Sequence, residues 1–273
     1  DDQLKGGYFV QPHAIPETHL LLFNPSQNVV KSRELRRALI YAADRQGILD
    51  EVLLREPGGK QGRVVAGPFP KNSRANAAGV VPRPYDPYAG LALALAAKHS
   101  LNAAKVISGE IPPLRIIAPP DPVIRAAAER LVAGWVRVGI QAELVPDDDL
   151  TAYAEGRWDL IYRRVQMTEP AVQLWPFLTF STTARITDLA PFPDWLKQEV
   201  IALDRAADFI RAEERVRLLH RHLAHEAALI PLWEIDQYTI YRKNLRGFSV
   251  TPVYSYDDVD AWVRKLVGMS AEA

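Results

Sequence analysis

Ser32-Arg33-Glu34-Leu35-Arg36-Arg37-Ala38-Leu39-Ile40-Tyr41-Ala42-Ala43-Asp44-Arg45-Gln46-Gly47-Ile48 is the stretch whose reading decides the fold. Leu35, Leu39 and the Ala42-Ala43 pair recur at helical spacing, and charges fill the other face. This predicts one capped amphipathic helix closed by Gly47, with Ile48 to Leu54 adding a turn or two. Just before it, His19-Leu20-Leu21-Leu22-Phe23-Asn24 reads as a short buried strand stopped by Asn24-Pro25.

Outward from this pair the chain alternates helix and strand. Glu56 to Gly62 is a loop, Ala66-Gly67-Pro68-Phe69-Pro70 a constrained turn, and residues 71 to 84 are irregular. Asp86-Pro87 starts a second helix, with Asp86 as N-cap and Pro87 at the first helical position, running to about Lys98. Leu114 to Ala118 is a strand by β-branched content and alternation. Asp121-Pro122 opens a third helix with Ile124, Ala128, Leu131, Trp135 and Val138 on one face, ended by Gly139. Ile140 to Val145 is a strand, so strand, helix and strand predict a right-handed parallel βαβ unit.

Leu150 to Glu155 reads as a short helix and Trp158 to Tyr162 as the next strand. Residues 165 to 193 are aromatic and Pro-rich with weak period. Helices are expected at about 195 to 206 and 209 to 225. Ala228 to Trp233 is expected as an edge or end strand, because Pro231 lacks the N–H that a central ladder position needs. Tyr238 to Arg242 is a further strand.

Composition narrows the class. The 273 residues are 48% hydrophobic and 24% charged, enough for a real core in an ordinary globular chain. Lys plus Arg equals Asp plus Glu, 33 each, so no global field draws in nucleic acid or an anionic membrane. The absence of Cys excludes disulfides, thiolate chemistry and cysteine metal sites. No apolar run approaches the roughly 20 residues needed to span a bilayer. Asp1 to Lys5 lacks the apolar region of a signal peptide, so an exported protein would carry its leader outside this chain.

Catalytic and metal motifs fail on inspection. Gly58-Gly59-Lys60 is followed by Gln61 where a phosphate loop needs Ser or Thr. His225-Glu226 would need a second His at position 229, which is Leu229. His220 and His222 point to nearly opposite sides of their helix, which makes a three-His site with His225 geometrically poor. Asp147-Asp148-Asp149 lacks the spaced oxygens of a calcium loop and reads as a helix-capping run. No nucleophile–base pair is readable, so no enzymatic activity, cofactor or metal is expected. The segment 158 to 177 is different, with Tyr162, Arg163, Arg164, Gln166, Met167, Glu169, Trp175 and Phe177 just after a strand. Strand ends are where α/β folds bind ligands. A loop with its own small aromatic cluster accounts for the same residues, and both readings stay open here.

Six pieces, taken in order, resemble the bacterial extracellular solute-binding proteins of family 5, the oligopeptide, dipeptide and nickel binders of ABC importers. The 33 to 48 helix is similar to the family's "vRqAlnyAiDrdaI", and Gly67-Pro68-Phe69-Pro70 to its "gpiP" turn. Tyr85 to Leu91 resembles "YDPekAkaLL", and Ala128 to Ile140 resembles "aeaiqaqLkkiGI". Gly156-Arg157-Trp158-Asp159-Leu160 resembles "GdyDl", and His225 to Trp233 resembles "eaPviPly".

The resemblance implies an α/β, periplasmic-binding-protein-like lobe with a mixed central sheet flanked by helices. Residues 1–24 would be a leading segment with a strand returning from a missing lobe, 25–235 the second α/β lobe, and 236–273 a C-terminal return segment. It implies an exported, periplasmic or extracytoplasmic component of an ABC-type importer, closing on a peptide or similar small solute without catalysis. Its partners would be that ligand and ABC permease subunits, with no nucleic acid and no membrane span in this chain. The alternative is a solute-binding-like module with a sensing or protein-interaction role in a larger secreted protein.

The expected ligand-binding residues are Asn24, Tyr162, Arg163, Arg164, Gln166 and Trp175. Where the family's "ggWgaDypDP" often anchors a peptide amine on Asp, this chain places the neutral Gln166 beside Arg163 and Arg164. The resemblance with this departure implies a neutral or anionic ligand at that spot.

Overall fold

The computed structural model describes residues 6–146, 155–180, 185–249, 252–253, 256 and 259–264. Its centre is strand β2 (Glu17–Phe23), reached from β1 (Tyr8–Pro12). After α1 (Arg33–Tyr41), α2 (Arg45–Ile48) continues as a wider π-helical turn over Leu49–Leu54 into β3 (Gly62–Val64). Helix α3 (Pro87–Ala103) precedes the unit β4 (Leu114–Ala118), α4 (Pro122–Arg137) and β5 (Ala142–Pro146). Then come β6 (Leu160–Val165), α5 (Pro170–Thr179), α6 (Asp194–Asp204), α7 (Phe209–Glu226), β7 (Leu229–Ile235) and β8 (Tyr238–Arg242).

Six strands form one mixed sheet in the order β3-β7-β2-β6-β4-β5. β4 runs parallel to both β5 and β6, as the βαβ pattern predicts, while β2 runs antiparallel to β6 and β7. The carboxyl ends of β4, β5, β6 and β7 therefore lie together at one end of the sheet, beside the start of β2. β1 and β8 leave from that same end and pair with each other as a separate antiparallel ribbon, Tyr8 opposite Arg242 and Pro12 opposite Tyr238. A small pair, β9 (Leu245–Arg246) with β10 (Val263–Arg264), follows it.

Both faces of the sheet are covered, and side-chain alternation divides the core in two. Leu21, Phe23, Leu160 and Ile230 pack toward α1, α3 and α4. Leu20, Leu22, Ile161 and Leu229 pack toward α5, α6 and α7. Most of the helices begin as capping rules require. Ser32, Asp86, Asp121 and Asp208 each accept a backbone N–H from their own first turn.

Several expectations need correction. The single helix of 33 to 48 is two: α1 ends at Tyr41, the chain turns at Ala42 and Ala43, and Asp44 caps a new helix by accepting the Gly47 N–H at 3.0 Å. Gly47 is thus inside a helix and does not close one. α3 continues five residues past Lys98 to Ala103, and Lys105 then takes a left-handed conformation (φ 57°). The weakly periodic 165 to 193 stretch contains α5, whose Leu174, Trp175, Phe177 and Leu178 are all buried. They lie on one side of the helix, but the outward side carries the apolar Val172, so residue type shows little amphipathic period.

β7 is not an edge strand, because it lies between β2 and β3, but Pro231 itself is paired only to β2. β3 ends at Val64 opposite Trp233, and the β2 register shifts between His19 and Leu20, so the missing N–H falls where the ladder is already interrupted. The helix expected from Leu150 to Glu155 and the Asp147 to Asp149 run fall at 147–154, outside the described residues, apart from Glu155 in a turn.

The turn at Ala42 is where three helices meet. A Cβ at Gly90 of α3 would lie 3.2 Å from the Ala42 nitrogen, and one at Gly134 of α4 only 2.6 Å from the Ala42 carbonyl oxygen. Trp135, fully buried, donates its indole N–H to Leu39 O at 2.8 Å across the same contact. Gly to Ala inside a helix ordinarily stabilises, by roughly 0.5–1 kcal/mol. Here Gly134→Ala is expected to destabilise by roughly 1–3 kcal/mol through overpacking against backbone. Urea unfolding of the two proteins measures the sign.

Candidate functional site

The candidate site is a cavity of about 620 Å³ at the end of the sheet where the carboxyl ends of β6 and β7 meet the β1–β8 ribbon. Four segments make most of its walls, with Arg63 of β3 and the end of β7 completing them. Pro12 to Pro16 carry the chain from β1 into β2. Met167 to Ala171 leave β6 and enter α5, where Pro170 takes the first helical position. Residues 70 and 72 to 75 belong to the irregular loop after the Pro-rich turn. Phe209, Glu213 and Val216 come from α7, and their i, i+4, i+7 spacing puts them on one side of that helix.

Carboxylates outnumber guanidiniums in this lining. Arg63 binds Glu234 Oε1 through Nε at 2.8 Å and Asp236 Oδ1 through Nη2 at 2.7 Å, tying β3 to the end of β7. The buried Glu234 also accepts the Lys71 N–H at 2.8 Å, so its charge is balanced and hydrogen-bonded. Glu213 lies 3.0 Å from Arg217 and 3.4 Å from Arg74, whose side chain is 80% exposed and therefore weakly held. Glu169 is exposed at the mouth.

A second polar group sits at the same end of the sheet on the opposite face. His19 Nδ1 is 2.7 Å from the Tyr162 hydroxyl, and its Nε2 is 3.2 Å from Glu17 Oε1. Arg164 reaches Glu17 at 3.8 Å. Burial pushes the Glu17 carboxyl up, but the hydrogen bond and charge of His19, with Arg164, outweigh it and hold it below its usual value. Burial raises the Tyr162 phenol well above its ordinary range, so it stays neutral.

None of the six residues expected from the sequence lines the 620 Å³ cavity. Arg163 and Arg164 are neighbours on β6 and so face opposite sides of the sheet. Arg163 lies 5.4 Å above the Phe180 ring and cannot join Arg164 in clamping one anion. Gln166 stands behind the wall, donating to Ile15 O at 3.2 Å. Tyr162 and Trp175 are buried in the two cores. Asn24 is at the other end of β2, donating to Trp158 O at 2.9 Å and accepting the Ser26 N–H at 3.0 Å. Arg63, Arg74, Phe209 and Glu213 are lining residues that sequence reading missed. The helical spacing of 209, 213 and 216 was visible, but nothing local to α7 says what that side faces. Among the described residues no group of three or more His, Asp or Glu side chains is placed to hold a metal ion.

The loop wall is latched to α7 by His220. Its Nδ1 accepts the Ala77 N–H at 2.9 Å, which puts the ring proton on Nε2. Nε2 has no hydrogen-bond partner among the described residues and faces Gly67, where a Cβ would lie 2.3 Å away. Phe69 packs edge-on against the ring at 5.4 Å between centroids. Only a neutral imidazole can accept from Ala77. Burial, with a smaller contribution from the charge of Arg221, lowers the His220 pKa to about 4.

The model of the bacterial extracellular solute-binding proteins, family 5 Middle, matches residues 3–184. No curated protein matches the chain. Among solved structures, NikA from Brucella suis in complex with Fe(III)-EDTA is 20% identical (TM-score 0.70), with 96% of this chain and 54% of that one covered. NikZ from Campylobacter jejuni in complex with Ni(L-His) is 18% identical (TM-score 0.75), with 94% and 54% covered. The oligopeptide-binding protein AppA from Bacillus subtilis, in complex with a nonapeptide, is 13% identical (TM-score 0.73), with 94% and 52% covered. The likeness shows a shared fold, and this chain spans about half the length of each of these structures.

The His220 latch sets a pH dependence. The unfolded chain binds a proton near pH 6.5 that the folded chain refuses until about pH 4, so stability is full above 6.5 and falls as pH drops between those values. The loss is at most roughly 3 kcal/mol. His220→Asn, which retains an acceptor for Ala77 but does not titrate, is expected to flatten this dependence while costing some stability at every pH. Denaturant titrations from pH 4 to 7.5 compare the two slopes.

Proposed function

Because the chain belongs to the bacterial extracellular solute-binding proteins of family 5, we propose that it forms one jaw of the substrate-binding component of an ABC-type importer. In this reading residues 25–235 are the jaw. Residues 1–24 bring the chain in from a first lobe, and 236–273 lead back toward it. The jaw closes on a peptide or similar small solute and leaves it chemically unchanged. ABC permease subunits are its partners, and the periplasm or another extracytoplasmic space is its location. Among the described residues no helix is long and apolar enough to cross a membrane.

The observation that carries the proposal is the position of the 620 Å³ cavity. It opens at the carboxyl ends of the strands, beside the ribbon by which the chain enters and leaves the sheet. A second lobe attached through β1 and β8 would face that opening and complete the enclosure. The lining supports a neutral or cationic solute, since Glu169, Glu213, Glu234 and Asp236 stand against Arg63 and Arg74. The neutral half of the neutral-or-anionic expectation remains, while its anionic half rested on Arg163 and Arg164, neither of which borders the cavity. Arg164 and Gln166 act on the wall instead, bracing Glu17 and Ile15 against the end of β6. Tyr162 holds His19 in the same brace.

Ligand identification by native mass spectrometry on the protein purified from its host is expected to reveal a bound peptide or small solute. Phe209→Ala and Glu169→Gln are each expected to weaken its binding about tenfold, as loss of a buried apolar contact or a charged hydrogen bond does. Calorimetric affinities unchanged in both variants would remove this cavity as the binding site.

A further inference from the structure

A second cavity, of about 490 Å³, lies at the far end of the sheet. Its volume falls within the range of small-molecule sites. β2 separates it from the first cavity, and six residue steps along an extended strand span about 20 Å. Leu22 and Phe23, at the end of β2, form its floor. Phe192, Trp195 and Leu196, from the start of α6 and the turn before it, form the facing wall.

The interior is apolar and aromatic, whereas the charges gather at the rim. Two carboxylates there, Asp194 and Glu226, already have partners: Lys197 Nζ at 3.1 Å and Arg33 Nε at 3.4 Å. Arg36 is held by the carbonyls of Val30, Lys31, Glu226 and Ala227, at 2.7 to 3.1 Å. The exposed Lys31 ammonium donates to the neutral Asn28 Oδ1 at 3.0 Å and faces no carboxylate among the described residues. An apolar slot under a rim with surplus positive charge repels cations. It also offers a partly hydrated place for one anionic group, which avoids the cost of burying a charge.

We propose that this second cavity binds a small amphipathic anion, an aromatic or branched aliphatic carboxylate. Its apolar body lies against Phe23, Phe192 and Trp195, and its carboxylate sits at Lys31. The site shares no lining residue with the first cavity, so it stands whether or not that cavity is the transported solute's place.

The test titrates the full chain with 4-phenylbutyrate and, as a charge-reversed control, 4-phenylbutylamine. Binding is followed by heat and by tryptophan fluorescence. One acid is expected to bind per chain, with the amine about tenfold weaker, the factor typical of losing a charge-assisted contact. Lys31→Gln is expected to weaken the acid several-fold. Pro191→Trp, at an exposed rim position, is expected to block it. Trp195→Phe should remove the fluorescence change and keep the heat. Neither Lys31 nor Pro191 is buried, so neither variant threatens folding, and a melting curve checks this. Equal affinity for acid and amine, no binding of the acid, or an acid affinity unchanged by Pro191→Trp overturns the proposal. Retention of the solute of the first cavity in the Pro191→Trp protein separates a failure here from a failure there.

Discussion

Strand β2 is the constraint on which everything else rests. Both of its edges are paired, to β6 and β7, and both of its faces are buried. Leu20 and Leu22 serve one core while Leu21 and Phe23 serve the other. Only an uninterrupted apolar run satisfies such a position. Its partners arrive from far along the chain, so the sheet is completed by non-local pairing after α1 to α4 have been threaded. Where β2 turns polar, at Glu17 and His19, it has reached the end of the sheet at which the ribbon departs. There Tyr162 and Arg164 supply partners to His19 and Glu17.

The same economy governs Arg45. Its guanidinium is buried, has no carboxylate partner among the described residues, and donates to the carbonyls of Pro231, Val65 and Arg83. Burial, followed by the charge of Arg83, lowers its pKa to about 10, which leaves it charged at neutral pH. It joins the start of α2 to β7 and to two loop segments, satisfying carbonyls that the interrupted ladder around Pro231 leaves free. The loop wall of the first cavity is thereby fixed twice over, near its base by Arg45 and farther along by His220. That makes the cavity's shape a property of tertiary contacts between α2, α7 and a segment with no regular structure of its own.

Legibility followed the range of the interaction. The caps at Asp86 and Asp121 were plain in the sequence because a side chain and the N–H groups two or three residues on decide them. The β4-α4-β5 unit was plain because its period and its glycine are local. The break at Ala42 was hidden, since continued apolar spacing ran across it. What distinguishes the corner is its contact with Gly90 and Gly134, which no window around Ala42 contains. α5 was hidden for another reason, because its outward side also carries apolar residues, Val172 among them, which blurs the period. Pro231 read correctly as lacking a two-sided ladder position, but β7 as a whole read incorrectly as an edge, because the short β3 beside its far end lies more than 160 residues earlier.

The site divides in the same way. Sequence pointed to the strand end after β6, beside which the first cavity lies, and the resemblance located the right family. It could not say which of two adjacent arginines turns toward which face, or that Phe209 and Glu213 come round from α7 to meet residues 12 to 16. By itself the sequence determined six of the strands (β2, β4, β5, β6, β7 and β8), the helix caps at Asp86 and Asp121 and the absence of cysteine chemistry, all of which depend on residue type and spacing within a few positions; β1 and the three-residue β3 carry too little local pattern to be read. The tertiary structure alone decided the strand order, the turn at Ala42, the two cavities and the charge around them. Each of these arises from groups distant in the chain, whose juxtaposition is set by packing and not by local preference.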